Sequence, residues 1–270
     1  MILLADSGST KTSWRLLDGA NISQFETVGL NPHFVDAKEV QSVLQGLDFS
    51  AEKVQEVFFY GAGCGASDTV KWLTTQLQNH FSEARVHVAS DLLAAAHATL
   101  GKQKGLVGIL GTGSNLGFFD GEILSVKVPS LGYVLGDEGS GNYLGRLLLS
   151  AFLRGELDEE LSEKIKVSRE EVLENIHQKP YPNRYLASFA PFVFRNRKHS
   201  QIAAIIQQNF TDWIERYALS YSETKELAVV GSIAFYFSTE LRQVAQKHGY
   251  YISQVLENPI AALSLYHLEE

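Results

Sequence analysis

The stretch LADSGSTKT, residues 4–12, decides how the start of this chain is interpreted. Lys11 followed by Thr12 is also how a phosphate-binding P-loop ends, but a P-loop needs a glycine directly before the lysine and a helix that begins there. Thr10 precedes Lys11 here, and the residues that follow, SWRLLDG, alternate as in a β-strand. The stretch therefore predicts a strand, a tight Gly/Ser/Thr turn and a second strand, so that any phosphate would be bound by a hairpin.

The composition is that of an ordinary globular protein. The 270 residues are 45% hydrophobic and carry a formal net charge of -8, which allows one large domain or two modest ones. An acidic chain is a poor match for nucleic acid or an anionic membrane, because both select clustered Lys and Arg. Residues 1–30 have no signal-peptide pattern, and no apolar run is long enough to span a membrane. We expect a cytoplasmic protein with neither a nucleic-acid nor a membrane partner.

An internal repeat is visible in two segments about a hundred residues apart. The first is a meander of three predicted strands, MILLADSG, TSWRLLDG and ISQFETVG, with a turn at DGAN. The second repeats this order in GLVGILGTGSN (105–115), LGFFDG and EILSVKV, again with a turn at Asp120-Gly121. A duplicated unit explains both segments better than a coincidence of two unrelated meanders.

The rest of the chain alternates strand and helix patterns. Further strands are predicted at VFFYGAG (57–63), ARVHVAS (84–90) and LAVVGSIA (227–234), and helices at DAKEVQSVLQGL, DTVKWLTTQLQNHF, DLLAAAHATL, NYLGRLLLSAFL and IAFYFSTELRQVAQKHG. This alternation predicts an α/β class. We place a domain boundary near LGKQKG, giving domains at 1–104 and 105–257. A helical insertion is expected at about 150–222, and a C-terminal helix at 258–268 is expected to pack on the first domain.

Each repeat carries a Gly/Ser/Thr turn that could bind phosphate. Backbone N–H groups in such turns form anion-binding nests, and glycine allows a close approach. A polyphosphate bound by both turns is therefore expected. The residues concerned are Gly8, Ser9, Thr10 and Lys11 in the first turn, and Gly111, Thr112, Gly113 and Ser114 in the second.

Asp6 ends the first strand, beside this turn, and a carboxylate there suits Mg²⁺, bound directly or through water. Lys11 could add positive charge to the phosphates. The alternatives are a turn aspartate at a strand end and a solvated lysine.

Four motifs in order, ADSGSTKTSW, GLVGILGTGSN, LGDEGSG and VVGS, give the chain a wider resemblance. Together they resemble the N-acetylglucosamine kinase-like branch of the BadF/BadG/BcrA/BcrD ATPase family, within the actin/hexokinase/Hsp70 superfamily. The resemblance implies duplicated ribonuclease H-like domains around a central cleft, with ATP held between the first hairpins of the two domains. It also places the adenosine against Gly231 and Ser232 of VVGS.

The same resemblance gives roles to polar residues outside the turns. Asp91, between a predicted strand and DLLAAAHATL, is the candidate catalytic base, although Ser90 or Asp91 could equally cap that helix. Asn31 and His33 in GLNPHF are candidate sugar ligands, with a simple Pro-containing turn as the alternative.

In the second half, Asp137 in GDEGSGN is a further candidate sugar ligand, and a capping carboxylate is its alternative. Thr112 could face both sugar and phosphate. Ser7 stands where many relatives have glycine, and Leu131 and Tyr133 flank Gly132 where animal relatives tend to carry a tryptophan.

These residues predict an ATP- and Mg²⁺-dependent kinase acting on a hydroxyl of an amino sugar, N-acetylglucosamine or a related cell-wall sugar. The alternative is an ATPase that senses or activates without a sugar acceptor. Activators of the family share an iron–sulfur cluster held by two cysteines from each subunit, whereas this chain has only Cys64, which is interpreted as a small buried thiol. The resemblance also implies a homodimer, with its interface expected in residues 150–222.

Overall fold

A computed structural model describes residues 1–19 and 21–268, which fall into two compact units. The first unit comprises Met1–Lys102 and the C-terminal segment from Asn258, and the second comprises Gln103–Glu257. Within the described residues, no helix is both long enough and apolar enough to cross a membrane.

The first unit is built on a five-stranded mixed sheet in the order β3-β2-β1-β4-β5. β1 pairs antiparallel with β2 and parallel with β4, so it is the strand where the two directions meet. Apolar side chains of β1 and β4, such as Leu3 and Phe59, are fully buried. The strands are β1 (Ile2–Ser7), β2 (Lys11–Asp18), β3 (Asn21–Val28), β4 (Glu56–Gly61) and β5 (Arg85–Ser90).

One helix follows β3, one follows each of the parallel strands β4 and β5, and a C-terminal helix is added from the far end of the chain. Ile260 of that C-terminal helix is buried with Leu4 and Leu17 of the sheet, and Leu263 with Ala94. The helices are α1 (Ala37–Gln45), α2 (Ser67–His80), α3 (Asp91–Leu100) and, counted last in chain order, α13 (Ile260–Leu268).

The sheet of the second unit has the order β10-β9-β6-β7-β8. Taken from its other end, this is the topology of the first sheet: β6 pairs antiparallel with β7 and parallel with β9. The duplication expected from the sequence is confirmed at the level of strand order. The strands are β6 (Gly105–Leu110), β7 (Ser114–Phe119), β8 (Leu124–Ser125), β9 (Glu226–Val230) and β10 (Tyr251–Leu256).

Helices occupy most of the chain between β8 and β9. They surround a core that includes Trp213 and Phe210 and continues under the sheet. The helical structure is interrupted at Tyr181, which adopts a left-handed conformation (φ 60°) just before Pro182 begins a new helix. The helices are α4 (Gly132–Leu135), α5 (Gly141–Leu153), α6 (Glu159–Ser162), α7 (Arg169–His177), α8 (Pro182–Ala187), α9 (Ala190–Arg195) and α10 (Ser200–Arg216).

Three local predictions need correction. The strand expected at EILSVKV is much shorter than expected, because β8 comprises only Leu124–Ser125. The single helix expected at 233–249 is two helices, α11 (Ser232–Tyr236) and α12 (Ser238–Lys247). Phe237, which separates them, is buried against Phe194 and Phe210, so core packing interrupts the helical period. β10 has no counterpart among the predicted strands, because its register shifts between Ile252 and Gln254 and its alternation is broken there.

Gly145 gives a direct test of the helical packing. The Leu186 carbonyl of α8 lies so close to Gly145 of α5 that a methyl group there would overlap it. We expect Gly145→Ala to lower the free energy of unfolding by about 1–3 kcal/mol, measured by thermal denaturation. Gly46→Ala is the matched control, because a methyl group at Gly46 would meet the Val43 carbonyl at an ordinary 3.5 Å. Equal effects of the two changes would contradict the packing.

Candidate active site

The turn between β1 and β2 is fastened by a relay of buried hydroxyl groups. The Leu30 N–H donates to Ser7 Oγ (3.0 Å), Ser7 and Thr12 share a hydroxyl hydrogen bond (2.8 Å), and Thr12 Oγ1 donates to the Val28 carbonyl (3.1 Å). Ser7 and Thr12 are fully buried. Ser7, which stands where many relatives have glycine, therefore has a structural role, because its hydroxyl joins the turn to the segment that carries Asn31.

Asp6 and Asp91 lie at the same edge of the first sheet. Asp6 is paired with Tyr60 on β4, Tyr60 with Ala89 on β5, and Asp91 follows the end of β5. Burial raises the pKa of Asp6 to about 7, and the charge of Asp91 contributes to this rise while Lys11 opposes it. Burial likewise raises the pKa of Asp91 to about 6, against the opposing hydrogen bond from the Leu92 N–H. Two desolvated carboxylates are thus held at one sheet edge, and the charge of Asp91 acts on Asp6.

The cap of α3 is Ser90. The sequence allowed Asp91 to be either the catalytic base or the cap of this helix. Ser90 Oγ accepts from the Leu93 N–H (3.2 Å), in the usual manner of an N-cap. Asp91 is the first residue of the helix, and its Oδ1 accepts from the adjacent Leu92 N–H (2.9 Å). The helix therefore does not depend on the Asp91 carboxylate for its cap.

The donor set at Asp6 fits Mg²⁺ bound mainly through a substrate. Within residues 1–19 and 21–268, no three or more His, Cys, Asp or Glu side chains are grouped to hold a metal on their own. Mg²⁺ typically takes one or two protein carboxylates and completes its shell with phosphate oxygens and water. Asp6, close enough to Asp91 to feel its charge, would supply that minimal protein contribution.

Lys11 lies beside this edge but binds an acidic neighbour on the sheet. Its Nζ is 2.5 Å from Oε1 of Glu26 on β3, and both side chains are about half exposed. The bond from Lys11 lowers the pKa of Glu26. A phosphate contact by Lys11 remains a prediction, and it requires the ammonium group to exchange this carboxylate for the phosphate.

Asn31 and His33 lie in the same turn but differ in how far their side chains are exposed. Asn31 is buried, and its Oδ1 accepts from the His33 N–H (3.0 Å), so the Pro-containing turn proposed as an alternative is present. Gly63, at φ 83°, packs directly on Oδ1 of Asn31, where any side chain would overlap it. His33 is exposed. Asn31 is thereby held rigidly, while the His33 side chain is accessible.

In the second unit, the loop between β6 and β7 is oriented by the start of α5. The Gly141 N–H donates to the Gly111 carbonyl (2.8 Å), and the Asn142 N–H to the Thr112 carbonyl (3.1 Å). In a trans peptide the N–H points opposite to the carbonyl of the same plane, and no cis bond occurs in the described chain. The N–H groups of Thr112 and Gly113 consequently point away from α5, as an anion-binding loop requires.

Asp137 lies against this loop. It is buried and left-handed (φ 61°), and its carboxylate accepts from the Ser114 N–H (3.3 Å) and from Nδ2 of Asn142 (2.7 Å). Burial raises the pKa of Asp137, and these two donors oppose the rise. The cap of α5 is Ser140, whose Oγ accepts from the Tyr143 N–H (3.2 Å), so the alternative role of Asp137 as a cap is excluded.

Gly231 and Ser232 form the turn that leads from β9 into α11. The Gly231 N–H donates to the Leu256 carbonyl (2.8 Å), and its backbone, at φ 119°, packs so closely on the Leu110 carbonyl and the Gly111 N–H that a side chain at 231 would overlap them. The turn is therefore adjacent to the loop that begins at Gly111. Ser232 lies beside it and is exposed.

Several residues of the site escape sequence reasoning. The relay of Ser7 and Thr12, the cross-link made by Asn142, and the hold of Arg146 on the Tyr133 and Val134 carbonyls (3.0 and 2.9 Å) all depend on tertiary contacts. The motif GDEGSGN contains Asn142 but gives no sign of the direction of its amide.

Comparisons with known proteins place this geometry in context. No protein-family model and no curated protein matches the chain. Among solved structures, a "Putative N-acetylglucosamine Kinase" from Porphyromonas gingivalis superposes with a TM-score of 0.94 at 36% identity, over 100% of this chain and 99% of that one.

Two more distant structures share the fold. A "Putative N-acetylglucosamine Kinase" from Chromobacterium violaceum has a TM-score of 0.67 and 20% identity, over 100% of this chain and 98% of that one. A ROK family glucokinase from Streptomyces griseus, in complex with glucose and AMPPNP, has a TM-score of 0.54 and 16% identity, over 96% and 94%. With two five-stranded mixed sheets and more than a third of its residues shared with the Porphyromonas gingivalis protein, the chain belongs to the sugar kinase family that has the actin-type ATPase fold.

Proposed function

We propose that this protein is an ATP- and Mg²⁺-dependent kinase that phosphorylates a hydroxyl group of an amino sugar, with N-acetylglucosamine or a related cell-wall sugar as the acceptor. The observation that carries the proposal is Asp91: a desolvated carboxylate at a strand end, beside Asp6, in a helix that Ser90 already caps. The proposal includes membership of the N-acetylglucosamine kinase-like branch of the BadF/BadG/BcrA/BcrD family.

In this mechanism the oxygen of the acceptor hydroxyl forms a bond to the γ-phosphorus of ATP, and the bond between the γ-phosphorus and the leaving oxygen of ADP breaks. Asp91 receives the proton of that hydroxyl. Phosphoryl transfer depends mostly on positioning and charge stabilisation, so the base needs to take the proton only late. The raised pKa of Asp91, about 6, matches a base that works near neutral pH. Bound Mg²⁺ would neutralise charge on the phosphates, and Asp6 is the residue assigned to hold it.

Phosphate binding is assigned to the two turns. Peptide N–H groups of Thr112 and Gly113, directed away from α5, suit phosphate oxygens, and Gly8 to Lys11 are the matching turn of the first unit. Gly231 and Ser232 are assigned to the adenosine. What supports this assignment is the close packing of Gly231 on the Leu110 carbonyl, directly before Gly111, because it makes the two segments proposed to bind the nucleotide adjacent.

Sugar binding is assigned to polar side chains held in fixed positions. Asn31 has an amide that both donates and accepts, as a vicinal diol requires, and Asp137 is a buried carboxylate beside Gly113 and Ser114. His33 is accessible for a further contact. A site made to hydrogen-bond sugar hydroxyls discriminates strongly against acceptors that lack them, because its buried polar groups are then left unpaired.

An ATPase that senses nucleotide without a sugar acceptor is the second candidate. It would need the phosphate-binding turns but would have no use for a rigid Asn31, a buried Asp137 and a desolvated Asp91. A homodimer, on the family resemblance alone, and a cytoplasmic location complete the proposal.

The sugar requirement can be tested by a coupled assay of ADP release with purified protein, ATP and Mg²⁺. The panel consists of N-acetylglucosamine, glucosamine, N-acetylmannosamine, N-acetylmuramic acid and glucose. We expect at least one of its amino sugars to raise the rate of ADP release at least about tenfold above the rate without sugar. ADP release that no sugar stimulates would contradict the kinase and favour the ATPase.

Two variants with opposite effects distinguish the proposed role of Asp91 as catalytic base from the role of Ser90 as the cap of α3. We expect Asp91→Asn to lower kcat by about a thousandfold or more, since it removes the proton acceptor. The same change should raise Tm at pH 8, in EDTA, because ionising a carboxylate whose folded pKa is raised to about 6 destabilises the fold. This gain should shrink towards pH 5, where the wild-type carboxyl is protonated in the folded protein.

Ser90→Ala is the control. Losing the cap of α3 should cost about 1 kcal/mol of stability, while kcat stays within a few-fold of wild type. Turnover of Asp91→Asn within a few-fold of wild type would remove Asp91 as the base.

A further inference from the structure

Asn142, at the start of α5, contacts both the phosphate-binding loop and the buried Asp137 carboxylate. Its Nδ2 donates to Oδ2 of Asp137 (2.7 Å) and to the Thr112 carbonyl (2.7 Å), and its backbone N–H donates to the same carbonyl (3.1 Å). The side chain is completely buried. A single primary amide has two N–H donors, and both are used here on the two groups.

The contacts of Asn142 fix directions as well as positions. Because two donors hold the Thr112 carbonyl, the peptide plane between Thr112 and Gly113 is set, and the Gly113 N–H points the opposite way. The Asp137 carboxylate is pressed against Gly113, where a methyl group would lie 3.1 Å from Oδ2. Its other oxygen accepts from the Ser114 N–H (3.3 Å). The carboxylate therefore has one packed position, between the loop and Asn142.

We propose that Asn142 is a positioning residue that locks the Asp137 carboxylate and the Thr112–Gly113 peptide into one arrangement, the carboxylate through its side chain and the peptide through both its side chain and its backbone N–H, so that the sugar ligand and a phosphate ligand of this unit are set by the same residue. This inference rests on the sugar kinase proposed above. It predicts that Asn142 acts on the sugar chiefly through Asp137.

Other side chains at position 142 would not hold both groups. Alanine has no donor, and aspartate would place a second carboxylate against the Asp137 carboxylate and the Thr112 carbonyl, where like charge is unfavourable. Loss of the amide leaves the buried Asp137 carboxylate with one donor fewer, at a site where burial already disfavours its charge. The Thr112 carbonyl keeps the backbone donor of Asn142, so the loop is affected less than the carboxylate.

The test is a double-mutant cycle on the full chain, with N-acetylglucosamine or the best sugar of the panel as acceptor. We expect Asn142→Ala to lower kcat/KM for the sugar about tenfold, mainly through KM, and to raise KM for ATP no more than about threefold. In the Asp137→Ala background the same change should lower kcat/KM by less than about twofold, since its target is gone. If Asn142→Ala lowered kcat/KM by the same factor with and without Asp137, the two residues would act independently and the proposal would be overturned.

Asn183→Ala is the control for simple destabilisation. Asn183 is also a buried asparagine, in α8, which packs on α5 at Gly145. We expect this change to lower Tm and to leave kcat/KM for the sugar within about twofold at a temperature where all variants are folded. A wild type that no sugar stimulates would refute the proposed function and this inference with it. Active wild type together with an Asn142→Ala variant of unchanged kcat/KM would refute the inference alone.

Discussion

The mixed direction of the strands beside β1 and β6 is the constraint on which the rest of the structure depends. In each sheet the first strand pairs antiparallel with the second and parallel with the fourth. The hairpin after the first strand and the ends of the parallel strands must then lie at one edge, because parallel strands end on the same side. In the first unit this edge carries Asp6, the Gly8 turn and Asp91, and in the second unit the corresponding edge of its own sheet carries Gly111 and Gly231.

What this edge does chemically follows from burial. Carboxylates at the ends of buried strands lose water, so the pKa values of Asp6 and Asp91 rise, and their ionised forms weaken the fold that holds them. Such groups are retained where a cation or a reacting proton gives them a partner. Other residues make the structural hydrogen bonds near the candidate site residues: Ser90 caps α3, Ser140 caps α5, and Ser7 with Thr12 closes the first hairpin.

Local pattern was enough to predict most of the elements, and tertiary contact decided the rest. The meanders, their turns and the strand–helix junction at Asp91 follow from apolar periods that end at Gly, Ser or Asp. Sequence reasoning failed where packing overrides period: Phe237 divides a predicted helix because the core takes its ring, and a register shift hides β10. Asn142 could not be found, since its importance lies in two acceptors, Thr112 and Asp137, that only folding brings to its amide.

The central claim, that Asp91 faces the acceptor hydroxyl while the Thr112–Gly113 peptide meets phosphate, is tested most directly by a crystal structure with Mg²⁺, AMPPNP and N-acetylglucosamine. We expect a sugar hydroxyl within about 2.6–3.2 Å of an Asp91 carboxylate oxygen, with phosphate oxygens accepting from the Thr112 or Gly113 N–H. A sugar bound with no hydroxyl near Asp91, or phosphates held away from that peptide, would contradict the claim.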